Sequence, residues 1–340
     1  MWIVDNITPY SADSSWVQDK DANKIWLVAV KATFDLLADG GTRLSEEQQE
    51  VQRISEPRGE EGKSSLRYES DLLGVKPGTD VLVNGSAWAR PGRRSTSTDV
   101  SLRVGPAINK RLRVFGDRRW GRSILGGLTI SDPEPYESMP IVFERAYGGW
   151  DCGASDPAEH RLEVRNPVGT GFASRAAHVV GQALPNVEDM KHLISEWDDR
   201  PTPAGLSCVS CDWSPRRELA GTYDKQWQLR RAPLWAQDFD GRYLNCAPPD
   251  QQVPARLHGG EVVELRNLTP GGALVFQLPE VYPTFETWFG GDAVEHAGHL
   301  ATVMIEPDLL RLTMTWQTSL VCNRRVDQLD FTVVTEKPVG

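Results

Sequence analysis

Two cysteines separated by two residues, Cys208 and Cys211, have the spacing with which thiolates bind a zinc ion or form a redox dithiol. A structural zinc site needs two further ligands, and the sequence offers neither a second such pair nor a pair of histidines nearby. Cys246 and His258 are the later residues with suitable ligand atoms. Because the ligand set is incomplete, the sequence favours ordinary, partly buried cysteines and predicts neither a metal ion nor a cofactor.

Two other motifs match known chemical signatures only in part. His296 and His299 follow Glu295, whereas a zincin helix carries its glutamate between two histidines. We interpret the two histidines as exposed residues at a turn or a helix end. Gly169 and Gly171 lack the third glycine and the preceding apolar strand of a dinucleotide site, so we expect them in a tight turn.

Two carboxylates, Asp238 and Asp240, lie on alternate residues and share one face of an extended segment. A glycosidase needs such a pair across a sugar-sized cleft, but the adjacent Arg242 favours turn and hydrogen-bond roles. The sequence contains no Gly-x-Ser-x-Gly nucleophile motif. It therefore predicts a protein that is not an enzyme. A hydrolase would instead require perturbed carboxylates in a deep cleft around Asp224, Asp238 and Asp240.

The charge balance bears on the class of partner. The 340 residues carry a formal net charge of −10, which argues against nucleic acid and against an acidic membrane surface, because both bind basic faces. A local basic cluster is interpreted as a solvated strand edge and turn, or alternatively as a patch that docks an acidic partner. Its members are Arg111, Arg113, Arg118, Arg119 and Arg122.

The start of the sequence and its cysteines favour a cytoplasmic protein. Residues 1–5 show neither the basic start nor the apolar segment of a secretory signal, and no apolar run is long enough to span a membrane. Five cysteines in a chain of this length do not indicate a disulfide framework.

The elements that must position these residues read mainly as strands. Residues 25–34 are apolar on both faces, which predicts a buried strand. Residues 100–104 and 111–115 alternate between apolar and polar side chains across a turn, which predicts a hairpin. Leu310, Leu312, Met314 and Trp316 alternate with polar residues after a Pro307-Asp308 turn.

These patterns predict a mainly β fold with two β-rich lobes, built as sandwich- or barrel-like antiparallel sheets and joined by a loop-rich middle with short helices. The predicted N-terminal lobe spans residues 1–150, the middle 151–220 and the C-terminal lobe 221–340. Residues 188–197 have helical spacing. The polar segment from Ser45 to Ser65, here called the excursion, is predicted on the surface.

Several segments, taken in order, resemble the type VI secretion-associated proteins built on domain of unknown function 2169. The segments are Asp71-Leu72-Leu73-Gly74-Val75-Lys76-Pro77-Gly78-Thr79-Asp80-Val81, Phe143-Glu144-Arg145-Ala146-Tyr147-Gly148-Gly149, Arg165-Asn166-Pro167-Val168-Gly169-Thr170-Gly171-Phe172, Leu184-Pro185-Asn186-Val187-Glu188, Ala220-Gly221-Thr222-Tyr223-Asp224-Lys225-Gln226-Trp227 and Asn245-Cys246-Ala247-Pro248-Pro249. The chain departs from the family in residues 200–208, where a longer glycine-rich run is expected.

The resemblance implies a non-enzymatic adaptor, or chaperone. Its partners would be a cognate toxic effector, often one with a spike-tip repeat domain, and the trimeric spike protein of the secretion machine. Two alternatives remain: a hydrolase delivered as an effector itself, and a structural component that travels on the spike. Neither the effector nor the oligomeric state follows from the sequence.

The resemblance also singles out motif residues as a partner-binding set or as a motif scaffold. Buried, paired charges usually serve architecture, which favours the scaffold interpretation. The excursion is a candidate for effector specificity. The motif residues are Asp71, Lys76, Asp80, Glu144, Arg145, Tyr147, Asn166, Tyr223, Asp224 and Trp227.

Overall fold

The strands of this protein are short and many, as its turn-rich sequence predicts. A computed structural model describes residues 3–124, 126–323 and 325–337. In chain order, β1 to β13 are Ile3–Asn6, Ser11–Gln18, Lys24–Leu36, Thr42–Leu44, Glu56–Pro57, Leu66–Tyr68, Thr79–Val83, Ser86–Trp88, Ser97–Val104, Ile108–Phe115, Trp120–Arg122, Leu128–Ile130 and Ser138–Pro140. Next, β14 to β26 are Tyr147–Gly148, Trp150–Asp151, Arg161–Leu162, Thr170–Gly171, Val187–Asp189, Gln252–Val253, Val262–Arg266, Ala273–Gln277, Pro283–Phe289, Asp292–Ala297, His299–Glu306, Arg311–Val321 and Leu329–Glu336.

Helices are short and lie mostly in the connections. The α-helix α1 spans Lys225–Arg230. The 3₁₀ turns are Phe143–Arg145, Pro157–Glu159, Ala176–His178, Arg217–Ala220, Gly241–Leu244, Pro249–Gln251, Pro307–Leu309 and Val326–Gln328. Among the described residues, none of the helices combines the length and apolarity that crossing a bilayer requires.

Three larger sheets form the body of the fold. A seven-stranded sheet has the order β19-β7-β24-β25-β3-β2, with β4 pairing beside β3. A five-stranded antiparallel sheet has the order β18-β10-β9-β20-β21, and a four-stranded sheet has the order β1-β26-β22-β23. Each of these sheets has two different edge strands. Within the described part of the chain the sheets are therefore open, as in a sandwich, and none of them closes into a barrel. The predicted mainly β class is confirmed.

The sheets share one apolar core. Alternate residues of β3 and β25, such as Val28, Val30 and Met314, pack with Leu102 of the five-stranded sheet and Phe285 of the four-stranded sheet. Burying each side chain of this size stabilises the fold by about 1.5–3 kcal/mol. The predicted strand over residues 25–34 is confirmed by β3, and the predicted hairpin is confirmed by β9 and β10.

The sheets do not follow the predicted lobe boundaries. In the seven-stranded sheet, β25 lies between β24 and β3, and β7 pairs in parallel with β24, so residues before 150 and after 221 share one sheet. The five-stranded sheet likewise joins β9 and β10 to β20 and β21. Strand pairing here depends on contacts between residues that are far apart in the sequence. The local alternation of apolar residues does not indicate which strands pair.

The predicted helix over residues 188–197 is wrong. Residues 187–189 form β18, and turns and extended segments follow. The buried carboxylate of Glu188 pairs with Arg118 and accepts a hydrogen bond from the Ile194 amide at 2.7 Å. This tertiary contact replaces the helical hydrogen bonds that the apolar spacing suggested.

Candidate functional site

One face of the seven-stranded sheet is polar although it is buried. On β25, Leu312, Met314 and Trp316 enter the apolar core, so Arg311, Thr313 and Thr315 point to the opposite side. This alternation follows from the two-residue period of a strand. Residues 48–72 and 245–247 cover the polar face, and a cavity of ≈ 360 Å³ lies between cover and sheet.

Lys76 and Asp80, both predicted from the sequence, form a buried ion pair beside this cavity. The Lys76 Nζ donates to Asp80 Oδ2 at 2.7 Å and to Thr302 Oγ1 at 2.8 Å. Asp80 is 0 % exposed and also accepts from the Asn245 side chain and the Cys246 amide. Burial disfavours the charged lysine, but the Asp80 carboxylate outweighs it and raises the pKa of Lys76.

Asp71, the third predicted residue in this region, holds the cover to the sheet. Its Oδ2 lies 2.5 Å from the Nζ of Lys31 on β3 and accepts a hydrogen bond from the Gln52 amide at 2.8 Å. The side chain of Gln317 on β25 donates to the Asp71 carbonyl at 2.7 Å. The structure thus brings Asp71, Lys76 and Asp80 together in one polar network.

The network contains residues that sequence reasoning missed. Glu306 accepts from the Tyr68 hydroxyl at 2.6 Å and from the Arg311 Nε at 2.7 Å. Burial, and then the hydrogen bond to Glu306, raise the pKa of Tyr68 to about 12. Buried Arg216 donates to Glu69 at 2.6 Å. The sequence feature that could have indicated these residues is a charged side chain on the polar side of an otherwise buried strand, such as Arg311 on β25.

Every cation that lines this cavity has a carboxylate partner. Lys31 pairs with Asp71, Lys76 with Asp80 and Arg311 with Glu306. Paired buried ions fix the relative positions of the segments that carry them, while their net contribution to stability is small. This arrangement supports the scaffold interpretation for Asp71, Lys76 and Asp80.

A second predicted group, from Glu144 to Asn166, lies in the loops at the end of the five-stranded sheet. Glu144 accepts hydrogen bonds from the Ser65 amide at 2.7 Å and hydroxyl at 2.8 Å, which ties down the end of the excursion. Arg145 donates to the Asn186 side chain at 2.9 Å. Buried Asn166 donates to the carbonyls of Phe143 and Tyr147, and therefore closes the loop between them.

The ring of Tyr147 packs at right angles on Phe172, with 6.5 Å between centroids. Its strand β14 pairs in parallel with β17, which contains Gly171 at a φ of 95°. A side chain at Gly169 would lie 2.7 Å from the Ala146 carbonyl, so this glycine permits close backbone approach. The positive φ expected of these glycines is present at Gly171, but Gly171 lies in a strand and not in the predicted tight turn.

A third predicted group, Tyr223, Asp224 and Trp227, lies on a projecting loop. Asp224 caps α1, because its carboxylate accepts from the Trp227 amide at 2.8 Å. The rings of Tyr223 and Trp227 make an edge contact with 4.8 Å between centroids. Tyr223 is 44 % exposed and Leu229 is 76 % exposed. The three predicted groups therefore do not converge on one site.

This loop, residues 209–245, is here called the arm. Its two limbs are joined at successive levels: Arg216 donates to the Tyr243 carbonyl at 2.8 Å, and the Asp240 amide donates to the Leu219 carbonyl at 2.9 Å. Trp235, Phe239 and Tyr243 contact one another along one limb. The Trp235 Nε1 donates to the Gln18 carbonyl at 3.0 Å and anchors the arm to the body.

The carboxylates considered for a hydrolase serve local structure. Asp238 accepts from the Thr222 amide at 2.9 Å and hydroxyl at 2.8 Å. Asp240 pairs with Arg242 at 2.6 Å, which is the turn and hydrogen-bond role that the sequence predicts. The pKa values of Asp238 and Asp240 are lowered by these hydrogen bonds, so neither is raised as a catalytic acid would require.

The structure corrects the interpretation of the two histidines and adds a contact between two cysteines. The Cys208 thiol lies 3.6 Å from that of Cys246, and both residues are buried, where the sequence favoured ordinary, partly buried cysteines. His296 lies on β23 and His299 on β24, and the His296 ring is bound by two threonine hydroxyls. Within the described residues, no group of three or more histidine, cysteine or carboxylate side chains could hold a metal ion.

The predicted basic cluster does not form one surface patch. Arg118 is buried and pairs with Glu188, while Arg113 on β10 pairs with Asp99 on β9. The cation of Arg118 also lies 3.7 Å from the centre of the Phe115 ring. The strand pairing that brings these partners together is long-range, so the clustering of arginines in the sequence overstated the free positive charge.

These sheets, loops and ion pairs define a β-rich protein whose predicted motif residues mostly hold segments together. Residues 21–317 match the family model described as an uncharacterized protein conserved in bacteria, domain of unknown function 2169. The match covers most of the chain, and the protein therefore belongs to this family. Searches of curated proteins and of solved structures found no match.

Proposed function

We propose that this protein is a non-enzymatic adaptor that binds a cognate toxic effector in the bacterial cytoplasm and helps to load it on the trimeric spike protein of a type VI secretion system. The observation that carries this proposal is the exposed apolar surface of the arm. Exposed aromatic and aliphatic side chains on an otherwise charged surface are typical of protein-binding sites.

The chemistry of the arm suits a binding role. Tyr223 and Trp227 supply large rings with few rotatable bonds, and Leu229 at the tip of the same helix is largely exposed. Hydrogen bonds between the two limbs hold the arm in shape before a partner arrives, which lowers the entropic cost of binding. The family resemblance supports an effector and a spike protein as the partners.

The position of the excursion argues against it as the main contact surface. Its backbone and side chains bond to Thr33, Asp71 and Glu144, so much of it serves as a cover over the polar cavity. Ile54 is nevertheless 78 % exposed. The excursion therefore remains a second candidate surface that the same experiment can test.

The test is an affinity pull-down of tagged protein from bacteria with an active type VI system, with mass spectrometry of the partners and of the secreted fraction. We expect one toxin and the spike protein to be recovered while the bait stays in the cells. Recovery of neither partner would contradict the proposal. Secretion of the bait in quantity would favour the spike-travelling component, and release of cell-wall fragments by the purified protein would favour the hydrolase.

Three matched variants locate the surface. We expect Leu229→Asp to weaken capture of the toxin at least tenfold, because it places a charge in the apolar contact. Ile54→Asp, in the excursion, and Val275→Asp, at a 51 % exposed position on β21 of the five-stranded sheet, should bind as the wild type does. Loss of binding in Ile54→Asp alone would move the contact surface to the excursion.

A further inference from the structure

Two cysteines lie at the base of the arm, one on each limb. The Sγ atoms of Cys208 and Cys246 are 3.6 Å apart, and both residues are 0 % exposed. The Val209 amide donates to the Cys246 carbonyl at 2.7 Å, so the two backbones are already held side by side. The arm begins directly after the first cysteine and ends directly before the second.

We propose that Cys208 and Cys246 are an oxidisable dithiol whose disulfide closes the base of the arm. The structure already brings the sulfur atoms into contact, so only a local movement separates the dithiol from the bond. The link would join the two ends of residues 209–245, which carry the proposed docking surface. Any effect of the disulfide on partner binding rests on the proposed adaptor function, whereas formation of the disulfide does not.

The reaction requires an oxidant that accepts two electrons. A low-molecular-weight disulfide such as oxidised glutathione is the relevant class: one thiolate displaces a glutathione thiol, and the second thiolate displaces the other. The S–S bond between the cysteines forms, the S–S bond of glutathione breaks, and the two departing glutathione thiolates take up the two protons that the cysteines lose and leave as thiols. Cys246 also lines the cavity on the polar face.

The surroundings of Cys246 lower the fraction of reactive thiolate at neutral pH. Contact with the Cys208 thiol and burial raise the pKa of Cys246 well above its ordinary value, while the Lys76 ammonium, 3.7 Å from the sulfur, opposes this. Because the thiolate is the attacking species, we expect oxidation to be slow at neutral pH and faster at pH 9.

The test is peptide mapping of the full chain after treatment with oxidised glutathione, with free thiols alkylated and no reductant present. We expect one linked peptide that joins Cys208 to Cys246. The bond should also raise the thermal midpoint of unfolding, since it closes a long loop. Cys246→Ser should lose both effects, whereas Cys211→Ser, the matched control, should retain them.

A disulfide between Cys208 and Cys211, or alkylation of both Cys208 and Cys246 after prolonged oxidation at pH 9, would overturn the proposal. The mapping of wild-type protein needs no variant to fold and no partner to bind. A chain that forms the Cys208–Cys246 bond but captures no toxin would refute the adaptor function alone. A chain that captures the toxin but forms no Cys208–Cys246 bond after treatment with oxidised glutathione would refute the dithiol alone.

Discussion

At the scale of single residues, Lys76 connects three segments through one ammonium group. Its Nζ bonds to Asp80 at the start of β7 and to Thr302 on β24, and it lies next to Cys246 below the arm. The backbone amide of Lys76 also donates to the Gln317 side chain at 3.0 Å. Such a group has no solvent to replace a lost partner, so its loss is costly.

We expect Lys76→Met to lower the free energy of unfolding by about 3–5 kcal/mol, because it leaves the buried Asp80 carboxylate without its cation. Denaturant unfolding followed by fluorescence measures this change. Lys63→Met is the matched control, since Lys63 pairs with Glu60 while their side chains are 72 % and 67 % exposed. That variant should change stability by no more than about 0.5 kcal/mol. Equal effects of the two substitutions would contradict the buried pair.

At the scale of elements, the contact between the four-stranded and seven-stranded sheets includes a chain of hydroxyls. His296 on β23 bonds to Thr287 on β22 at 2.8 Å and to Thr318 on β25 at 2.7 Å. Thr287 in turn bonds to Thr332, which accepts from the Trp26 indole at 2.8 Å. The ring stacks on Phe285. Burial of this ring disfavours its charged form.

This contact predicts a loss of stability in mild acid. Burial lowers the pKa values of His296 and His299 to about 4, below the value of about 6.5 in an unfolded chain. The unfolded chain therefore binds more protons between these values, so the stabilising effect is complete above pH 6.5 and is lost as pH falls towards 4. Unfolding midpoints measured across this range should fall with pH.

Variants assign that pH dependence to the sheet contact. His296→Gln cannot titrate, so we expect a flatter dependence of its unfolding midpoint between pH 4 and 6.5, from a lower starting stability. His192→Gln is the control because the His192 side chain is 53 % exposed. An unchanged slope in His296→Gln would show that other groups cause the loss.

At the scale of the whole molecule, the two ends of the chain depend on each other. The long pairing of β25 with β3 joins Arg311–Val321 to residues 25–35, and it lies in the middle of the seven-stranded sheet. The parallel pairing of β24 with β7 adds a second such link. If the sheet is separated between β25 and β3 or between β24 and β7, both halves expose unpaired backbone groups and an apolar face.

We therefore expect residues 1–150 and 221–340, produced separately, to lack stable folded structure. Circular dichroism and the dispersion of amide NMR signals measure this, with the full chain as the control. A cooperative unfolding transition in either fragment alone would contradict the interleaved sheet and would support the predicted lobe boundaries.

The sequence by itself determined the mainly β class, the buried strand β3 and the hairpin of β9 and β10, because a two-residue period and turn residues are local signals. It also singled out Asp71, Lys76 and Asp80, which the structure joins in one network. It did not indicate Lys31, Arg216 or Glu306 as their neighbours. Those partners come from strands far apart in the chain.

Only the tertiary structure decided which strands share a sheet and which thiols meet. Residue spacing offered Cys208 and Cys211 as a candidate pair that the sequence did not favour, whereas the two limbs of the arm bring Cys208 to Cys246. Residue patterns also suggested a helix after residue 188, where the pairing of Glu188 with Arg118 favours an extended chain. Local propensities amount to fractions of a kcal/mol per residue, and burial of an apolar face outweighs them.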